Sequence, residues 1–538
     1  MKKNTIFAAV AALLLTGTAA WGQSKQFKLG QWVEIQNAIL GELSRSYVDT
    51  LPLERMQLAG IDAMLEQLDP YTVYVPEEEQ EDFEMMLGKT YGGIGAIIYK
   101  PEKEGNVFIN EPYADSPAVR AGLRSGDQLL EIDGVSTHGL DASQCSERMK
   151  GKPGTVVHFK VQKARTGEIV NVDVTRERIH LPDIEYHGML DASDGYILQT
   201  GFTENVSNEL RSAFNDLKKQ GMKRLVLDLR GNGGGLMSEA VNIVSLFVPK
   251  GSLVVSQRGK DSTDYKEYKT VREPIDTEIP IIVLVDGGSA SSSEIVTGAL
   301  QDRDRATVMG RRTYGKGLVQ TIRPLPYNGQ LKVTISKYYT PSGRCVQAID
   351  YARRGEDGSV SHIPDSLTHE FKTLHGRTVR DGGGITPDVE LPAYNYSRLA
   401  YSLVVGGIID HYALDYVGRH ASIPAVEDFH FNEYEDFVEF AKKQEFDYRS
   451  SAMAYFDQMK KELEKDGMAE GAKEQLEALK AVIDRDKEQF LRDSKEELIP
   501  FIEEEIAVRY WFQEAGIQVR LRYDDQLKAA LEKPMIKF

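Results

Sequence analysis

The 538 residues contain two cysteines, Cys145 and Cys345, far apart and in what read as different domains. That excludes a disulfide framework, and two buried free thiols are expected instead. Positive charge is also short: 65 Lys and Arg against 82 Asp and Glu leave a net charge of -17. No block of basic residues offsets this, so binding to a phosphate backbone is excluded as the main function. No S-x-x-K occurs, which rules out the penicillin-binding type of serine chemistry. No histidine lies between His187 and His362. There is no metal-ligand spacing and no internal repeat, so neither a metal nor a cofactor is expected.

The length calls for several domains, and 41% hydrophobic residues suffice for ordinary cores. The chain opens MKK, continues through an apolar run from Ile6 to Leu15, and reaches small residues up to Ala20-Trp21-Gly22. This predicts a secretory signal over 1–22, cut before Gln23, and hence an exported, periplasmic protein. The apolar run is too short for an ordinary membrane span, although an uncleaved anchor is the alternative. Residues 23–76 form an expected helical lobe. Trp32, Ile35, Ile39 and Leu43 mark the face of one helix over 30–49, and Met56 to Leu68 that of a second, stopped by Asp69-Pro70.

The most informative stretch is Ile281 to Gln320. An apolar strand, IIVLVD, meets a Gly287-Gly288 turn and then SASSSE, from Ser289 to Glu294, which opens an amphipathic helix. A small hydroxyl residue at a helix N-terminus sits where unpaired N-H groups and the helix dipole can hold a developing negative charge. Lys316 follows in YGKG, where flanking glycines let the backbone approach a neighbour and let the amine be desolvated into a base. A Ser/Lys nucleophile pair is the leading reading. The plain alternative is a surface lysine in a hairpin. A phosphate loop is disfavoured, because Gly317 replaces the magnesium-binding hydroxyl and LVQTI reads as strand.

From Glu77 to about residue 180 the pattern is one of short strands. Tyr91-Gly92-Gly93-Ile94-Gly95 precedes AIIY, followed by SPAVRAGLRSGDQLLEIDGVS, a short helix near Cys145, and VVHFKVQK and VNVDVTRE. This order resembles a PDZ domain over 77–180. The resemblance implies that Gly93, Ile94 and Gly95 offer backbone N-H groups to a peptide's terminal carboxylate. Farther on, LVLDLR runs into Gly231-Asn232-Gly233-Gly234-Gly235 before another helical pattern. That cluster is a turn, a phosphate cradle or an oxyanion hole, and its spacing does not fit a dinucleotide site.

LDPYT, the Tyr91 to Gly95 loop, LDLRGNGGG, SASSSEI, GALQD, YGKGLVQ, YYTPSGR and GITPDV occur in one order between residues 30 and 390. Together they resemble the carboxyl-terminal processing (tail-specific) serine peptidases. The resemblance implies an α/β core of the crotonase/Clp-protease-like kind over 181–395. It maps the nucleophile to Ser291, the general base to Lys316, and Gln320 to the residue that orients the lysine amine. The oxyanion donors map to the backbone N-H of Ser292 and of one glycine, Gly235 in preference to Gly234. Asp302 falls on an acidic position and is expected to support the site structurally. Ser292 replaces the family's usual alanine, and Ser289 and Ser293 stand as local competitors for the nucleophile. A polar insertion between Gln347 and Gly384 reads as a surface loop without catalytic groups.

Residues 396–538 read as a helical, highly charged domain with one buried stripe: Leu463, Leu476, Leu479, Val482 and Ile483. Self-association or substrate tethering is the alternative role there. The fold class is thus multidomain: a helical N-terminal lobe, a β-rich PDZ domain, an α/β serine protease core and a helical C-terminal domain. The function expected is that of an exported serine endopeptidase acting near the C-termini of protein substrates. The alternative is a catalytically silent PDZ adaptor.

Overall fold

A computed structural model of the chain describes residues 25–537 apart from 81, 82, 84, 86, 87, 101–104, 106, 262, 356, 395, 445–450 and 484–486. The expected signal segment, 1–22, lies outside the described residues. Among those described, no helix is long and apolar enough to cross a membrane.

The N-terminal unit, ending at Tyr74, contains helices Lys25–Ser46 and Leu53–Leu65. The second stops three residues earlier than its apolar pattern, and the Asp69 carboxylate then takes the amides of Tyr71 and Thr72 and the Thr72 hydroxyl to form a tight turn. The periodicity identified helices here, but not a buried face: Trp32 is 67% and Ile39 54% exposed.

The rest of the chain forms a second unit. Its first part is a PDZ-like sheet in which Ala96–Tyr99, Val107–Pro112, Gln128–Ile132, Val156–Gln162 and Ile169–Thr175 pair antiparallel in that order. Ile109, Leu129, Val157, Phe159 and Cys145 close its core. Helix Ala142–Met149 starts at a capping box, Asp141 and Gln144 each holding the other's backbone amide.

The core is a six-stranded sheet ordered Ile184–Met189, β1 (Asp194–Gln199), β2 (Arg224–Asp228), β3 (Ile281–Val285), Thr307–Gly310 and Val389–Glu390. Only the first strand is antiparallel. Helices α1 (Val206–Lys219), α2 (Met237–Val244) and α3 (Ser292–Asp302) cover one face, where Ile281, Val283 and Val285 point. Ile282 and Leu284 point the other way, onto Ile517, Leu527 and Ala530 from the C-terminal end of the chain. Burial on both faces is why β3 is apolar without alternation.

The C-terminal helices form their own aromatic-rich core from Tyr412, Phe431, Tyr434 and Phe437 with Leu498, Ile502 and Ile506. The predicted stripe is not that core. Leu479 is 42% exposed, Leu463 and Leu476 are half-buried, and Val482 and Ile483 lie outside the described side chains. Charged neighbours at three and four spacing gave those leucines an amphipathic pattern, while the packing energy comes from the aromatics elsewhere. Element α4 (Lys495–Tyr523) breaks at Trp511 and Phe512, the latter at φ 68°, and folds back so that Gly516 lies against Val508 and Glu504. It leads through Asp524 into α5 (Asp525–Glu532), which rests on the protease sheet.

Two expectations need correcting. Cys345 is only half-buried, although both thiols are free. The insertion between Gln347 and Gly384 is not a plain surface loop. It folds as two hairpins, Ile349–Arg354 with Val360–His362 and Glu370–Lys372 with Thr378–Arg380. It is pinned by core hydrogen bonds at its start, Ala348 N to Gly315 O (2.9 Å), and in the turn of the second hairpin, Leu374 N to Asp302 O (2.8 Å).

Candidate active site

The site lies beyond the carboxyl ends of β2 and β3, where open parallel sheets bind ligands. Asp286, at the end of β3, accepts the amides of Gly231, Gly288 and Ser289 and so knits the two strand ends together. Five residues on, Ser291 takes φ 58° and ψ -114°, a conformation that a non-glycine residue holds only when its surroundings impose it. α3 begins at Ser292, so Ser291 stands half-exposed at the helix mouth.

The glycine cluster approaches this turn closely. A Cβ built on Gly234 would come within 2.8 Å of Ser291 Cβ and Ser292 N, so nothing larger fits there. Asn232 secures the approach: its carbonyl takes Ala290 N (3.0 Å) and the Ser293 hydroxyl (2.8 Å). Its side-chain oxygen takes Gly234 N (2.9 Å), which occupies that amide. The Ser292 hydroxyl donates to Gly235 O (2.8 Å). The serine in place of alanine therefore fastens one side of the turn to the other.

Neither competing hydroxyl is free. Ser289 Oγ donates to Leu229 O (2.7 Å), Ser293 Oγ to Asn232 O, and both residues are fully buried. Of the three serines, only Ser291 is left open.

The backbone of Lys316 is tied to the serine turn through Glu294. This fully buried carboxylate takes Ser291 N (2.9 Å) and Lys316 N (2.8 Å) on Oε2, and Gly315 N (2.7 Å) and the Thr313 hydroxyl (2.6 Å) on Oε1. Burial pushes its pKa up, while these four donors oppose the rise by favouring the anion. Sequence reasoning gave Glu294 no role. The signal was a Ser-x-x-Glu pattern at a helix start, read there as part of a motif rather than as a capping pair. A second tie, Tyr314 N to Ser289 O (3.0 Å), docks the lysine segment on the serine turn.

The glycines around Lys316 are explained by contact. Cβ atoms on Gly315 and Gly317 would meet Ala348 Cβ at 2.4 Å and Gln347 N at 2.7 Å, and Gly317 N donates to Gln347 Oε1 (2.8 Å). The structure places Lys316 half-buried just before strand Leu318–Pro324. Gln320 lies on that strand, its amide nitrogen donating across the hairpin to Thr334 Oγ1 (3.1 Å). Tyr338, the first residue of YYTPSGR, donates its buried hydroxyl to Ser291 O (3.1 Å), a role the motif did not assign it.

Asp302 lies at the far end of α3. It forms an ion pair with Arg344 (2.7 Å), with side chains 0% and 1% exposed, and takes the Thr340 hydroxyl and Ser342 N. It holds the YYTPSGR turn.

The PDZ residues line a separate groove. Gly93, Ile94 and Gly95 border a cavity of about 490 Å³ between strand Ala96–Tyr99 and helix Ala142–Met149, lined also by Lys150. Among the described residues this strand pairs on one edge only, with Val107–Pro112.

Family profiles agree with this layout: peptidase family S41 over 194–352, a PDZ domain over 108–163, and "Probable PDZ-protease, C-terminal helical domain" over 399–533. The carboxy-terminal-processing protease of Bartonella bacilliformis is 33% identical over 358 residues, covering 65% of this chain and 81% of that protein. CtpA of Bacillus subtilis, a carboxy-terminal processing protease, is 31% identical over 418 residues, covering 76% and 85%. Among solved structures, the photosystem II D1 C-terminal processing protease aligns at 25% identity over 67% of this chain and 86% of that one, with a TM-score of 0.37.

Proposed function

Because this chain belongs to peptidase family S41, the carboxy-terminal processing serine proteases, and carries the family's PDZ domain, we propose that it is an exported endopeptidase cutting protein substrates near their C-termini through a Ser291/Lys316 pair. The observation that carries this reading is the single Glu294 oxygen that accepts the amides of both residues.

The substrate's carboxylate binds the Gly93-Ile94-Gly95 amides, and its tail adds as a strand along the free edge of Ala96–Tyr99. In the core, neutral Lys316 takes the proton of the Ser291 hydroxyl as Oγ attacks the peptide carbonyl carbon. A lysine serves only when its pKa lies well below the usual ~10.4, which desolvation can achieve. Gln320, tethered at its nitrogen to Thr334, offers its oxygen to orient the amine. The N-H groups of Ser292 and Gly235 stabilise the tetrahedral oxyanion. As the intermediate collapses, the C-N bond breaks and Lys316 returns the proton to the leaving amine. Water, deprotonated by the same lysine, then hydrolyses the acyl-enzyme and releases Ser291.

Fluorophosphonate labelling followed by peptide mapping tests the nucleophile, and cleavage of a substrate with a small apolar C-terminus tests the pair. Label on Ser291, with proteolysis lost in both Ser291→Ala and Lys316→Ala, is expected. Full proteolysis in both variants would overturn the assignment. Export is tested by fractionating cells that express the full chain, with N-terminal sequencing of the mature product.

A further inference from the structure

The glycine loop begins at Arg230, whose guanidinium does not point to solvent. Its side chain is 12% exposed and is clasped by two carboxylates. Asp228 takes Nε (3.0 Å) and Nη2 (2.5 Å) from inside the strand end. Asp524, 294 positions away in sequence, takes Nη2 (2.6 Å) and Nη1 (3.2 Å). Tyr394 OH accepts from Nη1 (2.9 Å) and donates to Asp524 Oδ1 (2.5 Å). Gln526 Oε1 is a further acceptor for Nη1 (3.1 Å).

Asp524 is itself held. It is the N-cap of α5, accepting Leu527 N (2.8 Å), and its side chain is 6% exposed. Burial works against its charge, but the bonds from Arg230 more than offset this and hold the carboxyl below its usual range. The guanidinium is therefore fixed between β2 and the last helix of the chain.

Movement of Arg230 would pass directly into the loop. Gly231 N is on Asp286, Asn232 O receives Ala290 and Ser293, and Gly234 lies against Ser291. A buried guanidinium that loses one of two carboxylates turns toward another partner or toward water, because an uncompensated buried charge is costly. Gly231, at φ 69°, offers little resistance to that rotation.

We propose that Asp524, assisted by Tyr394, is a positioning residue for catalysis: the C-terminal helical region reaches over the sheet and sets the geometry of the oxyanion loop through Arg230. The helical domain is then a working part of the catalytic centre and not only a cover for the sheet. This rests on the reading of Gly235 as an oxyanion donor.

The test uses the full chain and compares Asp524→Asn, Asp524→Glu and Tyr394→Phe with the parent. Asparagine keeps the helix cap and the shape and removes the charge. For Asp524→Asn the expected result is a fall of tenfold or more in kcat on a tailed peptide and in the labelling rate of Ser291. KM and the affinity for a non-cleavable tail peptide should stay within twofold, and Asp524→Glu should recover part of kcat. Tyr394→Phe, at a half-exposed side chain, should lower kcat about threefold with KM unchanged, and it decides the matter if Asp524→Asn shows no cooperative unfolding transition. A merely structural role would lower the melting midpoint while leaving kcat per labelled site at the parental value. That result, or parental kcat in the folded variants, overturns the proposal. Parental label on a serine other than Ser291 would instead sink the underlying assignment.

Discussion

The backbone amides of Ser291 and Lys316 donate to the same atom, Oε2 of Glu294. Two segments from different parts of the sheet are thereby held in one register by an acceptor that can release neither without exposing a buried donor. Each unsatisfied buried donor costs on the order of 1–3 kcal/mol. Glu294→Ala is expected to lower the labelling rate of Ser291 and kcat/KM by about 10²-fold or more, the scale on which misplaced reacting groups lose rate. Glu294→Gln should not rescue, since its NH₂ would face two donors on one side. Labelling kinetics with a fluorophosphonate check this, and a parental rate in Glu294→Gln would show that the carboxylate does not set the register.

Gly234 and Gly233 make a matched pair of neighbours with opposite expectations. Alanine at 234 must fit a φ of 95° with backbone atoms at 2.7 and 2.8 Å, whereas alanine at 233 meets nothing within 4 Å. Gly234→Ala should cost about 10²-fold or more in kcat, the scale on which misplaced reacting groups lose rate, because the added methyl pushes the loop off the Ser291 turn. Gly233→Ala should stay within a fewfold of the parent. Steady-state kinetics on one peptide decide it, and equal effects at both positions would point to general loop flexibility instead.

The sequence displayed those parts of the site that short-range rules govern. Apolar β3, the glycine turns and the start of α3 follow from burial on two faces and from turn chemistry within a few residues. The Gly-Lys-Gly and the close approach it permits were visible too, though the neighbour was not, because Gln347 and Ala348 meet it only in three dimensions. The bonds of Glu294 to Lys316, of Tyr338 to Ser291 and of Arg230 to Asp524 span 22, 47 and 294 positions, where no periodicity points. The same limit explains Trp32 and Leu479: helical spacing identifies a possible apolar face but not whether anything covers it. Serines 289, 291 and 293 look alike as letters, and only their hydrogen bonds separate them.

Tail capture and cutting should separate kinetically. The groove between Ala96–Tyr99 and Ala142–Met149 is lined by Ser146, whose replacement by tryptophan would fill it. Ser146→Trp is expected to raise KM for a tailed substrate about tenfold or more while leaving the labelling rate of Ser291 at the parental value, because the groove contributes binding that is uniform through the reaction. Titration of a fluorescent tail peptide provides the direct measure. Unchanged affinity would move tail recognition elsewhere on the molecule.

The helical hairpin of α4 carries a pH dependence of its own. Burial, with Glu505 adding and Arg520 opposing at 3.5 Å, pushes the Glu504 carboxyl up to about 7, and the Tyr396 hydroxyl also faces it. In the unfolded chain the same carboxyl loses its proton near 4.5. Between those two values the folded protein holds a proton that the unfolded chain has released, so stability falls as pH rises. The contribution is complete below 4.5 and lost as pH passes through 7, amounting at most to about 3 kcal/mol. Glu504→Gln keeps the shape and abolishes the titration. Its melting midpoint should match the parent at pH 5 and exceed it by several degrees at pH 8. Parental behaviour at both pH values would mean that Arg520 keeps Glu504 ionised in the fold and that the hairpin carries no buried proton.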